Sequence, residues 1–146
     1  MVADGSESKR PSNYINFVEI QKKNSQMSWI LLCVSKSSPA QITRDLILER
    51  AGYRVVSAGN PADATSIFTN SLVHAVVLGD SLSRDQGLEL ARTFKELNSS
   101  VPIVALSKTT GTQMPASLVD EQVESLGDPR LLLEALVRVL PRHGDG

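Results

Sequence analysis

Residues 30–39 read Ile-Leu-Leu-Cys-Val-Ser-Lys-Ser-Ser-Pro, and their order decides the fold. Five apolar side chains in succession, with no polar alternation, describe a strand covered on both faces, which a parallel sheet requires. Ser38-Pro39 then opens a helix. The serine hydroxyl can accept from a first-turn amide, while proline at the first helical position already has the right φ and lacks only an amide that would go unpaired. A buried strand running into a capped helix is the first half of a βα unit, so the remaining chain should alternate likewise.

It does. Ile42, Leu46 and Leu48 give the first helix its apolar side, and Gly52 supplies a stop that tolerates positive φ. Tyr53 to Ala58 is a β-branched second strand, and Asn60-Pro61 repeats the cap-then-proline device, with Asp63 favouring the exposed first-turn amides. Ala64, Ile67 and Phe68 form the stripe of the second helix. Ala75 to Leu78 is the third strand, Gly87 to Leu97 the third helix with Leu90, Ala91, Phe94 and Leu97 inward, and Ile103 to Leu106 the fourth strand. Lys108 to Gln113 is polar, Met114 to Leu118 has room for one helical turn, and Gln122 to Ser125 is a poor fifth strand. Asp128-Pro129 opens a closing helix with Leu132, Leu133, Leu136, Val139 and Leu140 inward, ended by Pro141. This order predicts an α/β chain, a flavodoxin-like doubly wound five-stranded parallel sheet with helices on both faces. Its functional crevice should lie at the carboxyl ends of the strands. That rule selects Ser35, Lys36, Gly79, Asp80, Ser107, Lys108 and Ser125.

Composition narrows the function. The 146 residues are 41% apolar, enough for one domain's core, and 15 basic against 16 acidic side chains leave a net charge of -1. Such a balance provides no long-range pull on nucleic acid or an anionic membrane. The lone Cys33 excludes an internal disulfide, and His74 and His143 lack zinc-ligand spacing, so no metal or cofactor is expected. The apolar run Trp29 to Val34 is far short of the ~20 residues of a bilayer span. The reading is therefore of a cytoplasmic protein. Residues 1–27 are expected to be a polar, disordered leader, 28–141 the folded domain and 142–146 a short flexible tail. Met27, just before the first strand, is a candidate natural start.

The segments ILLCVSKSSP, LILERAGYRVVSAGNPADA, HAVVLGDSLSRDQGLELARTFKELNSSVPIVALS and DPRLLLEALVRVL, from Trp29 to Leu140, resemble the receiver domain of two-component response regulators. The resemblance implies an acidic pair holding Mg²⁺ after strand one, a phosphorylated aspartate after strand three, Thr or Ser after strand four and Lys-Pro after strand five. The acidic pair falls on Ser35 and Lys36. The aspartate position, eight residues before Gly87, falls on Gly79. Ser107 matches the hydroxyl position, and the lysine position falls on Ser125. Phosphoryl transfer to a carboxylate needs the nucleophile and cations to neutralise the phosphoryl oxygens. A chain lacking them is expected to be a degenerate pseudo-receiver with no catalytic residues, Lys36 replacing the metal's charge by pairing with Asp80 or Asp85. Asp80, one residue past the expected position, offers the alternative of a phosphorylatable single-domain regulator in a phosphorelay. A one-residue slip turns its side chain to the other face.

Elsewhere the simplest readings suffice. His74 at a strand entrance is a capping or packing residue rather than a phosphoryl carrier, Cys33 is a buried small hydrophobe, and Lys108-Thr109-Thr110-Gly111 lacks the Gly-rich lead-in of a phosphate loop. Arg130, Glu134 and Arg138 repeat every four residues, predicting an intrahelical ion-pair ladder. Receivers use the fourth helix, fifth strand and fifth helix to contact partners. The resemblance thus makes that side the interaction face for protein partners in a signalling pathway, or for a homodimer through the last strand and helix. The chain ends soon after its last helix, which suggests a stand-alone module without an output domain. A different class, a small α/β enzyme or nucleotide or flavin binder using the strand-end crevice, would need a convergent acid, base and Gly-rich turn that these strand ends do not supply.

Overall fold

A computed structural model describes residues 29–108, 114–125 and 128–140. The expected leader (1–27), the tail (142–146) and the loop residues 109–113 lie outside the described residues. The strands are β1 (Ile30–Val34), β2 (Arg54–Ala58), β3 (Ala75–Leu78), β4 (Ile103–Ser107) and β5 (Glu121–Glu124). The helices are α1 (Pro39–Arg50), α2 (Pro61–Asn70), α3 (Arg84–Leu97) and α4 (Arg130–Val139). One parallel sheet has the order β2-β1-β3-β4-β5. The chain steps outward from β1 to β2, then crosses back to β3 on the other side of β1. The strand order therefore reverses between β1 and β3, and a crevice opens at their carboxyl ends.

Period-two alternation sends the strand side chains into two cores. Leu32, Val34, Val76, Leu78, Ile103 and Ala105 pack with α2 and α3, where Phe68 and Phe94 stack at 4.4 Å between ring centroids. Leu31, Cys33, Val77, Val104, Leu106 and Val123 pack with Leu48 of α1 and Leu132, Ala135 and Leu136 of α4. The continuous apolar runs read in the sequence are thus the two-sided burial of central strands.

The helix starts follow their caps. Ser38 accepts from the Gln41 amide (3.1 Å) and Asn60 from that of Asp63 (2.9 Å), each with proline in the first turn. Gly52 ends α1 at φ +104°, which a side-chain-bearing residue rarely adopts. Helix α3 starts three residues before the expected Gly87, because Ser83 and Gln86 form a reciprocal capping box (3.1 and 3.0 Å).

Two helical faces differ from expectation. In α1, Ile42 (55% exposed) and Leu46 (53%) face outward, and the buried positions are Gln41 and Leu48. The helix phase is fixed by docking Leu48 into the core and by Asp45, which accepts from Gln41 (3.1 Å) and from Ser57 of β2 (3.1 Å). In α3, Leu97 is half exposed at the frayed last position, while Leu90, Ala91 and Phe94 are buried as expected. Between β4 and β5, Met114–Leu118 makes a single turn in which the Leu118 and Val119 amides both donate to the Pro115 carbonyl (3.0 Å each). β5 begins one residue earlier than read, with Val123 as its one buried residue.

Candidate functional site

The crevice is built by the backbone at the tips of β1 and β3. The Gly79 amide donates to the Val34 carbonyl (2.8 Å) and the Ser35 amide to Ala58 (3.0 Å), continuing the ladders one residue past the strands. Ser35 and Gly79 consequently sit side by side. A Cβ on Gly79 would lie 2.6 Å from Ser35 Cβ, 2.7 Å from its Oγ and 3.0 Å from the Val34 carbonyl oxygen. The Ser35 side chain therefore occupies the space into which a carboxylate at position 79 would grow.

That serine is held in place. It is 5% exposed, and its Oγ lies 3.0 Å from Ser81 Oγ. The Lys36 amide donates to Ser81 Oγ at 2.8 Å, and Ser35 Oγ reaches the Lys36 carbonyl at 3.3 Å. Donation from Ser81 to Ser35, and from Ser35 to the carbonyl, satisfies every one of these groups. Ser81 is a member of the site that sequence reasoning missed. The signal was available, since it follows Gly79 by two positions at the start of the β3–α3 loop.

The remaining expected residues divide. Asp80, Ser107 and Lys108 line one hollow of about 200 Å³ with Gly79, Leu82 and Met114. The exposed Lys36 engages through its backbone amide, and its ammonium pairs with neither Asp80 nor Asp85 among the described residues, contrary to the expected charge replacement. Ser125 is not part of the crevice. Its amide donates to Ser107 (2.8 Å), but its side chain lies on the same side of the sheet as Val123 and lines a separate cavity between α1 and α4.

The residues present do not fit Mg²⁺. A hard divalent cation needs carboxylate and carbonyl oxygens. Here the two positions after β1 hold a hydroxyl already committed to Ser81 and a lysine. Among the described residues no cluster of three or more His, Cys, Asp or Glu is placed to hold a metal.

On the expected interaction face, Arg130, Glu134 and Arg138 are all exposed on α4, and the Glu134 carboxylate attracts both arginines through its charge, as the four-residue spacing predicts, while their hydrogen bonds go to other partners. Arg130 instead turns back to Asp128, whose carboxylate accepts from its backbone amide (2.9 Å) and guanidinium (2.9 and 2.6 Å). These bonds hold the Asp128 carboxyl below the usual carboxylate range and cap α4 in place of a side-chain N-cap. Arg138 reaches across to Glu121 of β5 (2.9 Å). The guanidinium hydrogen bonds thus go to Asp128 at the start of the same helix and to Glu121 across on β5. A groove along Arg130, Leu133, Glu134 and the 60% exposed Val137 completes this face.

Cys33 is buried and its thiol is pushed up by desolvation first, then by Asp45, so it stays protonated and inert. His74 is a cap, as read: its Nδ1 accepts from the Ile30 amide (2.9 Å) and its ring meets Trp29 edge-on at 5.0 Å. Burial lowers its pKa.

This fold, with its crevice at the β1/β3 reversal, is that of the CheY-like receiver domain. Among solved structures, the chemotaxis response regulator CheY4 of Vibrio cholerae superimposes with a TM-score of 0.68 at 20% identity, covering 77% of this chain and 99% of that one. The non-phosphorylated HemR receiver domain of Leptospira biflexa gives 0.68 at 23% identity, covering 80% and 98%. In sequence, the chain is 30% identical over 125 residues to the phosphate regulon transcriptional regulatory protein PhoB of Pseudomonas aeruginosa. That alignment takes in 80% of this chain and 53% of PhoB, so the chain spans about half the length of its relative. No protein-family model matches the sequence.

Proposed function

We propose that this chain is a degenerate receiver domain of two-component signal transduction, acting through protein contacts without aspartate phosphorylation and without enzymatic activity of its own. One observation carries the reading: at position 79, where the resemblance puts the acceptor aspartate, a Cβ would stand 2.6 Å from that of Ser35, which supports the absence of a carboxylate there. The two residues after β1 are Ser35 and Lys36, so the metal-holding carboxylates are missing together with the nucleophile. Positioning and charge neutralisation supply nearly all of phosphoryl-transfer catalysis, and neither is provided here. The output must then reside in a fixed surface. The β5–α4 face with Arg130, Glu134 and Arg138 is the surface we assign to protein partners or to a second copy of the chain. A net charge of -1, and no helix among the described residues long and apolar enough to cross a membrane, support a cytoplasmic protein partner over nucleic acid or lipid.

Asp80, which lines the crevice beside Ser107 and Lys108, supports the second reading of a phosphorylatable regulator. Incubation with acetyl phosphate and Mg²⁺, followed by intact-mass measurement in acid-stable and native conditions, separates the two. Unmodified protein is expected. A phosphoryl adduct that vanishes in an Asp80→Asn variant would overturn the proposal.

A further inference from the structure

The described cavities include one that the receiver fold does not explain. It lies on the opposite side of the sheet from the crevice, between α1 and α4, with a volume of about 270 Å³. Its apolar wall is made by Ile47, Leu48, Leu106, Val123 and Leu132. An apolar cavity of roughly 150 Å³ accommodates benzene, so this one has room for a chain of about eight carbons.

Two residues of its lining carry polar groups without partners among the described residues. The Ser125 Oγ is fully buried and has no hydrogen-bond partner. The Arg44 side chain, half-buried on α1, lines the same cavity and has neither a hydrogen-bond acceptor nor an ion-pair partner among the described residues. A buried hydroxyl left unsatisfied costs about 1–3 kcal/mol and calls for an occupant. Both groups donate hydrogen bonds, and a guanidinium presents its donors as a planar fork matched to a carboxylate. Two acidic residues, Glu124 and Asp128, also line the cavity. Both Asp128 oxygens are engaged by Arg130, and the exposed Glu124 side chain alternates along β5 with that of the buried Val123.

We propose that this cavity is a binding site for a small apolar carboxylic acid, its hydrocarbon part against Leu48, Leu106 and Val123 and its carboxylate on Arg44 and Ser125. The site borders the β5–α4 face but includes none of Ser35, Lys36 and Gly79, on which the absence of phosphorylation rests, so the two are tested separately.

The test uses the full chain and three probes of equal length: octanoate, octanol and octylamine, each titrated below its aggregation or solubility limit and followed by backbone amide chemical shifts. Octanoate is expected to give saturable shifts at Arg44, Leu106, Val123 and Ser125. Octanol and octylamine should bind about tenfold or more weakly, as loss of a charged hydrogen bond implies. Arg44→Gln should remove the preference for octanoate while leaving the spectrum otherwise unchanged. A Ser125→Ala variant, which keeps the apolar wall intact, should weaken octanoate more than octanol. No saturable shift with octanoate overturns the proposal, as does equal or tighter binding of octylamine, or an Arg44→Gln variant that still prefers octanoate.

Discussion

Glycine at position 79 leaves no room for a side chain of its own, because the neighbouring Ser35 fills the adjacent space and is tied there by Ser81. Introducing a carboxylate there is therefore expected to destabilise the protein. In Gly79→Asp the new Cβ meets Ser35 Cβ at 2.6 Å and Oγ at 2.7 Å, and the third close atom is main chain, the Val34 carbonyl oxygen at 3.0 Å. Overpacking of this kind costs about 1–3 kcal/mol. We expect the urea midpoint to fall accordingly, with unchanged slope, and the double variant Ser35→Gly/Gly79→Asp to recover most of the loss. An aspartate variant as stable as the parent would show that Ser35 yields freely. What the sequence reveals at this scale is residue type: Ser35, Lys36 and Gly79 are read off at the strand ends, and none of them carries a carboxylate. Direction is less legible. Ser125 occupies a strand end too, yet alternation turns it to the α1/α4 side, and the Ser35–Ser81 bond joins two loops that no periodicity connects.

At the scale of elements, the region between β4 and β5 was the weakest in the sequence and is stabilised by a contact that no local pattern encodes. Asp120 Oδ2 accepts from the Ile103 amide at the start of β4 (2.8 Å) and from Lys95 Nζ of α3 (2.9 Å), while Lys95 also donates to the Val101 carbonyl (3.1 Å). One carboxylate thus joins the end of α3 and the starts of β4 and β5. Its two bonds are unequal. The ion pair is half exposed, with side chains 17% and 39% accessible, and such pairs contribute at most about 1 kcal/mol. The Ile103 amide belongs to a fully buried residue, and leaving it unpaired costs about 1–3 kcal/mol. Asp120→Ala is therefore expected to destabilise by more than Lys95→Met, and chemical denaturation of both decides it; equal losses would place the energy in the ion pair instead. The capped starts at Ser38 and Asn60 and the buried runs of β1, β3 and β4 were legible because each is specified by residues within one turn or one strand. The phase of α1 was not. Its sequence places Ile42 and Leu46 four apart, an apolar pair that reads as inward, but tertiary docking of Leu48 and the Asp45–Ser57 bond set the rotation.

For the whole molecule, near balance of charge removes one common source of pH sensitivity. With 15 basic and 16 acidic side chains, mild acidification produces no large self-repulsion, so the stability change between neutrality and pH 5 falls to the groups that titrate there. Those are the two histidines, and His74 is the one among the described residues. Its neutral Nδ1 accepts from the Ile30 amide, which opens β1 beside β3, and partial burial lowers its pKa from the ordinary 6.5. A lowered histidine pKa means that the unfolded chain takes up the proton first. Stability is then complete above about pH 6.5, declines as the pH falls from there to the folded-state pKa, and levels off below it. Asp128, held low by its bonds to Arg130, contributes only in the acidic carboxylate range and does not overlap this window. Replacing His74 by asparagine keeps an acceptor for the Ile30 amide without a titrating group. Thermal melts at pH 7, 6 and 5 should show the parent losing more stability on acidification than His74→Asn, and parallel losses in the two proteins would exclude His74 as the cause.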